Sequence, residues 1–238
     1  MSPLTLVAAF LVVAAGACIQ GSLGFGLGLI GAPVLALLDD DFVPGPLLFV
    51  GVVLTAIVAA RERGELDWRG IRWALVGRVF GTVIGTIAIT RVSEDGLVAL
   101  LAVSILVAVA LSVAGWHVRP TPTTLVGAGT VSGVMGMLTS VGGPPMAIVY
   151  QRERAAQLRT TLAGFFLFGA SLALAALVLG GEFGLHELGL GVLLLPGLAL
   201  GLLASRWLGR YLDHGWTRPA VLAFSAISAI LLLVQLAS

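Results

Sequence analysis

The stretch Gly21-Ser-Leu-Gly-Phe-Gly-Leu-Gly-Leu-Ile-Gly-Ala-Pro33 lies inside an apolar run that extends over residues 4–38. Thirty-five helical residues would reach about 52 Å, against about 30 Å of bilayer hydrocarbon. The run is too long for one crossing, and its glycines and Pro33 supply a place to break it. The same excess recurs over 123–150, around Gly133-Val-Met-Gly-Met-Leu-Thr-Ser-Val-Gly-Gly-Pro-Pro145. The two stretches align at one constant offset, Gly21 with Gly133, Gly24 with Gly136 and Pro33 with Pro145. In a chain with 32 glycines the shared G-x-x-G-x8-P spacing says little by itself. Its position, at the opening of each half of the chain, says more.

Outward from these stretches, six further apolar segments of ordinary crossing length run over 44–60, 71–90, 96–115, 160–180, 188–204 and 219–236. The arginines test what the two long runs do. If each crosses once, Arg61, Arg63, Arg69 and Arg72 fall on one side and Arg152, Arg154, Arg159, Arg206 and Arg210 on the other. That contradicts the excess of basic residues on the cytoplasmic side. If each enters, turns and returns, all of these share one face with Arg119, Arg218 and the five tryptophans. Asp39, Asp40, Asp41, Arg91, Glu94, Asp95, Glu182 and Glu187 take the opposite face. The arginine face then reads as cytoplasmic, with both termini outside.

The halves are 1–118 and 121–238, joined at Arg119-Pro120-Thr121-Pro122. Each holds one hairpin (4–38, 123–150) and three crossings. The odd count inverts the second half relative to the first, an arrangement that places a binding site between the repeats near the midplane. The expected fold is an all-α polytopic membrane protein of two inverted repeats, each a glycine-broken hairpin plus three transmembrane helices.

Composition agrees. The 238 residues are 58% hydrophobic and 11% charged, against about 45–50% and about 25% in soluble domains. A soluble globule and a disordered chain are excluded, and a net charge of +1 excludes a nucleic-acid binder. The apolar runs are long and continuous, unlike the alternating strands of a membrane barrel. The lone cysteine, Cys18, forms neither an intrachain disulfide nor a metal cluster, and no cofactor is expected.

A turn inside the membrane frees backbone N–H groups that lipid cannot satisfy, so it persists only when buried in protein or lining a wet cavity. The return limb of each hairpin begins at depth, and its N-terminus presents partial positive charge and free N–H donors. Two such ends facing each other favour an anion. The candidate binding residues are Gln20, Ser22, Gly24, Gly26 and Gly28 at the first break. At the second they are Thr139, Ser140, Gly142, Gly143 and Pro144. The competing reading is that the glycines only let helices pack closely.

In the third crossing Arg78, Thr82, Thr86 and Thr90 recur every four residues on one helical face, beside Gly77, Gly81 and Gly85. Arg78 is the one charge well inside an apolar segment, which makes it a functional candidate together with Thr82. Alternatively Arg78 snorkels to the interface and the threonines bond back to carbonyls four residues earlier.

All 12 acidic residues lie in loops or at segment ends. A cation carrier or proton pump usually buries a carboxylate, so an anion path is the consistent reading. Enzymatic readings fail. Gly24-x-Gly26-x-Gly28 has no Walker lysine, and the chain contains no lysine. Gly169-Ala-Ser171 lacks the following glycine of a nucleophile elbow and any apolar-segment histidine to act as base.

The paired glycine-rich, proline-terminated elements, together with Glu65-Leu-Asp-Trp68 and Arg159-Thr-Thr161, resemble the TauE/SafE sulfite exporter family over nearly the whole chain. The stretch Pro44-Gly-Pro-Leu-Leu departs from the pattern, because it has no counterpart of Arg159-Thr-Thr161. The resemblance implies a multi-pass permease of a bacterial or archaeal cytoplasmic (inner) membrane that carries sulfite, a sulfonate or thiosulfate. The expected function is thus secondary transport of a small sulfur oxyanion by alternating access, the two halves rocking or gating about the site. An anion channel and a non-transporting scaffold or accessory subunit are the competing readings. The partners expected are the anion and the lipid bilayer, and the glycine ridges allow a homodimer.

Overall fold

The computed structural model describes residues 2–61, 66–113, 118–139, 142–150 and 152–212, with scattered residues of 223–234. Among these every regular element is helical: α1 (Pro3–Leu23), α2 (Leu27–Leu38), α3 (Gly45–Arg61), α4 (Trp68–Arg91) and α5 (Glu94–Val113). There follow α6 (Pro122–Thr139), α7 (Gly143–Tyr150), α8 (Ala155–Gly180) and α9 (Leu185–Leu212). The expected crossing at 219–236 lies largely outside the described residues. Among the described residues five helices are long and apolar enough to cross a membrane. On α4 the residues Val76, Val79, Phe80, Val83, Ile84 and Ile87 are all exposed. An apolar stripe of that kind belongs against lipid rather than water.

The first long run breaks where glycine permits it. Ser2 caps α1 by accepting from the Thr5 N–H, and Pro3 occupies the first turn. The helix ends at Gly24, whose φ of +86° is left-handed and whose N–H donates to the Gln20 carbonyl. Gly26, at φ +141°, starts α2 from a conformation that side chains avoid.

Two seams bring helix backbones almost into contact. Along α4 and α6, a Cβ added at Gly129 would lie 2.0 Å from the Ala74 carbonyl oxygen, and one at Gly81 would lie 2.1 Å from that of Thr130. Along α1 and α9, a Cβ at Gly201 would lie 2.2 Å from the Ala14 oxygen. Close small-residue packing of this type replaces the hydrophobic effect as the force between helices in lipid. Gly127, on the same helix as Gly129, has nothing within 4 Å of its added Cβ. Gly129→Ala is therefore expected to cost at least about 1–3 kcal/mol by overpacking, and Gly127→Ala close to nothing. The ratio of folded to aggregated protein on size-exclusion chromatography in detergent checks this, and equal yields would contradict it.

The contacts also give the path of the chain. Gly129 faces Ala74 and Gly85 faces Met137, so α4 and α6 run in the same direction. Tyr150, at the end of α7, donates to Asp67 at the start of α4. The second run therefore ends at the level where it began. In the first half Phe10 faces Gly197 and Gly21 faces Ser205, so α1 and α9 are also parallel. Asp41, just after α2, lies 3.4 Å from His186 at the start of α9. The first run returns to its own starting level in the same way. Arg61, Arg69 and Arg72 lie at one end of the bundle with Arg119, Arg152 and Arg154. Asp39–Asp41, Glu182 and Glu187 lie at the other.

The two limbs of each hairpin are unequal. The first limbs are long: α1 has 21 residues and α6 has 18, about 31 and 27 Å at 1.5 Å per residue. Only the return limbs α2 and α7, with 12 and 8 residues, are short. And α9 continues to Leu212, past the expected end near 204, with Pro196 held inside it.

Candidate functional site

The starts of the two short helices meet. A Cβ added at Gly143 would stand 3.2 Å from the Phe25 Cβ. Between them is a cavity of about 60 Å³ whose walls include Gln20, Gly26, Gly28, Arg78, Gly142 and Gly143. A single water needs about 10–15 Å³ on this measure, so the space suits a small oxyanion or a few waters. Arg78 stands ten residues into α4, about 15 Å from the arginine-rich end, roughly half of the hydrocarbon thickness.

Arg78 does not snorkel. It is 2% exposed, and its Nη1 donates to the Ser132 carbonyl at 2.7 Å and the Ser132 Oγ at 2.8 Å. Its guanidinium carbon lies 5.5 Å from the Phe165 ring centre, within cation–π range. Nε is buried without a hydrogen-bond partner, and no carboxylate acts on the group among the described residues. Three glycines make room for it: an added Cβ would come 2.5 Å from Nη1 at Gly142, 2.6 Å from Nη2 at Gly136 and 2.7 Å from Nε at Gly169. An unpaired buried cation is costly.

The other candidate residues divide. Gln20 is 9% exposed, and its Oε1 accepts from the Leu27 N–H at 3.0 Å. One of the α2 donors expected to be free is thus capped by the protein itself. Ser22 turns away and bonds back to the Cys18 carbonyl at 2.9 Å. Gly24 packs against Arg159, whose Cα would lie 3.2 Å from a Cβ added at the glycine, and is outside the cavity wall. Thr82 is buried with its hydroxyl unpartnered, one turn beyond Arg78 but not on the wall. Thr86 does bond back, to the Thr82 carbonyl at 2.8 Å. Ser140 and the side chains of Thr139 and Pro144 lie outside the described residues. Ser171, weighed as a nucleophile, is exposed on the outer side of α8.

The sequence reading missed Ser132, Gly136, Gly169 and Phe165. A signal existed for two of them: Ser132 precedes Gly133 as Gln20 precedes Gly21, and Gly136 is the repeat partner of Gly24. Gly169 and Phe165 lie on α8, and only packing brings them to Arg78.

A second polar cluster lies between the cavity and the arginine-rich end. Asp67 caps α4 by accepting from the Gly70 N–H at 2.9 Å. Its other oxygen accepts from the Tyr150 hydroxyl at 2.8 Å, and its own N–H donates to the Thr161 Oγ1 at 3.2 Å. The Asp67-Trp68 and Thr160-Thr161 elements, distant in sequence, are thereby joined to the end of α7. Tyr150→Phe leaves the ring in place and removes one part-buried bond to a carboxylate. It is expected to cost about 1.5–3 kcal/mol, read as a lower unfolding temperature in detergent, and an unchanged temperature would contradict it.

Comparison with known proteins adds one match. No curated protein and no solved structure matches the chain. The family model described as Sulfite exporter TauE/SafE matches residues 8–232. With a helical bundle of membrane-crossing length and nearly every residue inside that match, the chain belongs to the TauE/SafE sulfite exporter family, a family of membrane transporters.

Proposed function

We propose that the protein is a secondary carrier for a small sulfur oxyanion, held in the cavity between the starts of α2 and α7 and exposed alternately to the two faces of the membrane. The observation that carries this is Arg78: a buried guanidinium at mid-depth, with an unpartnered Nε and no opposing carboxylate among the described residues, on the wall of a cavity where two broken helices begin. Sulfur as the central atom comes from the family. With no nucleotide-binding motif in the sequence, a gradient or a separate partner drives transport.

The inverted repeat belongs to the same proposal. If α1–α4 correspond to α6–α9, the α4–α6 seam exchanges with the α1–α9 seam, and α3 on α8 exchanges with itself. That correspondence supports two related halves, 1–118 and 121–238, around one site. The arginine-rich end is the cytoplasmic one, by the usual distribution of basic residues, which leaves both termini outside.

The test is counterflow of labelled sulfite in proteoliposomes, with sulfate, thiosulfate, a small sulfonate and acetate as competitors. Saturable exchange, inhibited by sulfur oxyanions and not by acetate, is the expected result. Ion current without saturation would replace the carrier with a channel. No flux from folded protein would leave a scaffold.

A further inference from the structure

Ser132 makes a set of contacts that no binding role assigned so far explains. It is fully buried, at 0% exposure, in the middle of α6. Its hydroxyl oxygen accepts from Arg78 Nη1 at 2.8 Å while its hydrogen is donated to the Gly142 carbonyl. Its backbone carbonyl accepts from the same Nη1 at 2.7 Å. Gly142 immediately precedes α7 and lies on the cavity wall. One hydroxyl therefore joins the first limb of the second hairpin, the start of its return limb and the only buried charge among the described residues.

The geometry of the guanidinium makes that join consequential. The group is planar with fixed donor directions. With two acceptors on Nη1 its plane is set, and Nε is a buried donor without a partner. Loss of the hydroxyl would leave Nη1 with one acceptor and the Gly142 carbonyl with none from this side chain. The charge would remain, but it would no longer be aimed, and the start of α7 would no longer be tied to it.

The first hairpin supplies an independent instance of half of this device. Gln20 occupies the position before Gly21 that Ser132 occupies before Gly133, and its side chain also ties the first limb to the start of the return limb, through the Leu27 N–H. Both breaks are thus fastened from the same place, and only the second fastening also grips the cation.

We propose that Ser132 is a positioning residue for anion binding, orienting Arg78 and coupling it to the break before α7. The inference rests on the reading of the cavity as an oxyanion site. The experiment measures KM and Vmax for sulfite counterflow in Ser132→Ala and Ser132→Thr, normalised to folded protein. Loss of one charge-assisted bond that aims the charge is expected to raise KM on the order of tenfold in Ser132→Ala, with Vmax held within about twofold. Ser132→Thr, which restores the hydroxyl, is expected to return KM to within about threefold of wild type. If Ser132→Thr does not fold, thermal stabilisation of wild type and Ser132→Ala by added sulfite takes its place. A half-effective concentration displaced on the order of tenfold supports the assignment.

An unchanged KM, or an unchanged half-effective concentration, in folded Ser132→Ala beside an active wild type overturns this inference alone. So does a fall in Vmax with KM fixed. A wild type that neither moves nor binds any sulfur oxyanion overturns the functional reading and this inference with it.

Discussion

Arg78→Met is expected to lower sulfite counterflow at least about a hundredfold while the protein stays folded. At about 4 Å and an effective dielectric constant of about 20, a single opposite charge is worth about 4 kcal/mol to a bound monoanion. That corresponds to roughly three powers of ten in affinity, and among the described residues the cavity wall holds no second cation to compensate. Folding is spared because an apolar side chain of similar length removes a desolvated charge rather than exposing one. Arg78→Lys keeps the charge but has a compact ammonium in place of the planar fork that Ser132 holds. It is expected to retain more activity than Arg78→Met and to lose about tenfold against wild type. Counterflow by Arg78→Met at half the wild-type rate would remove Arg78 from the site.

Gly169→Ala and Gly136→Ala carry the second large effect. At each position the three nearest atoms to the added Cβ belong to the Arg78 side chain, the first at 2.7 and 2.6 Å respectively. A flexible side chain can yield where a backbone cannot, so these variants are expected to fold at nearly wild-type yield. What yields is the guanidinium, pushed from the wall by an ångström or so and off its Ser132 acceptors. Counterflow is expected to fall on the order of tenfold or more, mainly through KM, since strongly bonded charges lose most of their advantage when misaligned. The contrast with Gly129→Ala, where a backbone oxygen is struck, separates glycines that serve the site from those that serve the fold. If Gly169→Ala and Gly136→Ala transport normally, the cradle has no role in binding.

Much of this was legible before any coordinates. The excess length of 4–38 and 123–150, read against bilayer thickness, located both breaks, and α2 and α7 start within them. Arg78 stood out because charge inside an apolar segment is rare. The lengths of the limbs were not legible. An apolar run with many glycines does not say which glycine turns, and only the left-handed φ of Gly24 and Gly26 shows it for the first hairpin. Ser22 was misplaced for a related reason: a serine near a break either faces the site or bonds to its own helix, and composition does not distinguish these. Gly169 and Phe165 were out of reach because the contacts that matter there join α8 to α4, some ninety positions apart. Sequence periodicity describes one helix at a time.

The two glycine seams have a mechanical consequence. Each joins a helix of residues 1–118 to a helix of residues 121–238, and in each the backbones are nearly touching. A movement of one sequence half as a block against the other would shear both seams at once. Under the proposed alternating access, the bodies that would swing intact are instead composite: α1 with α9, and α4 with α6, each drawn from both ends of the chain. Opening and closing of the cavity would then proceed between these interleaved pairs, with α3 and α8 as the surface on which they slide. Disulfide staples placed within a seam should leave such a machine running, whereas staples between the seams should stop it.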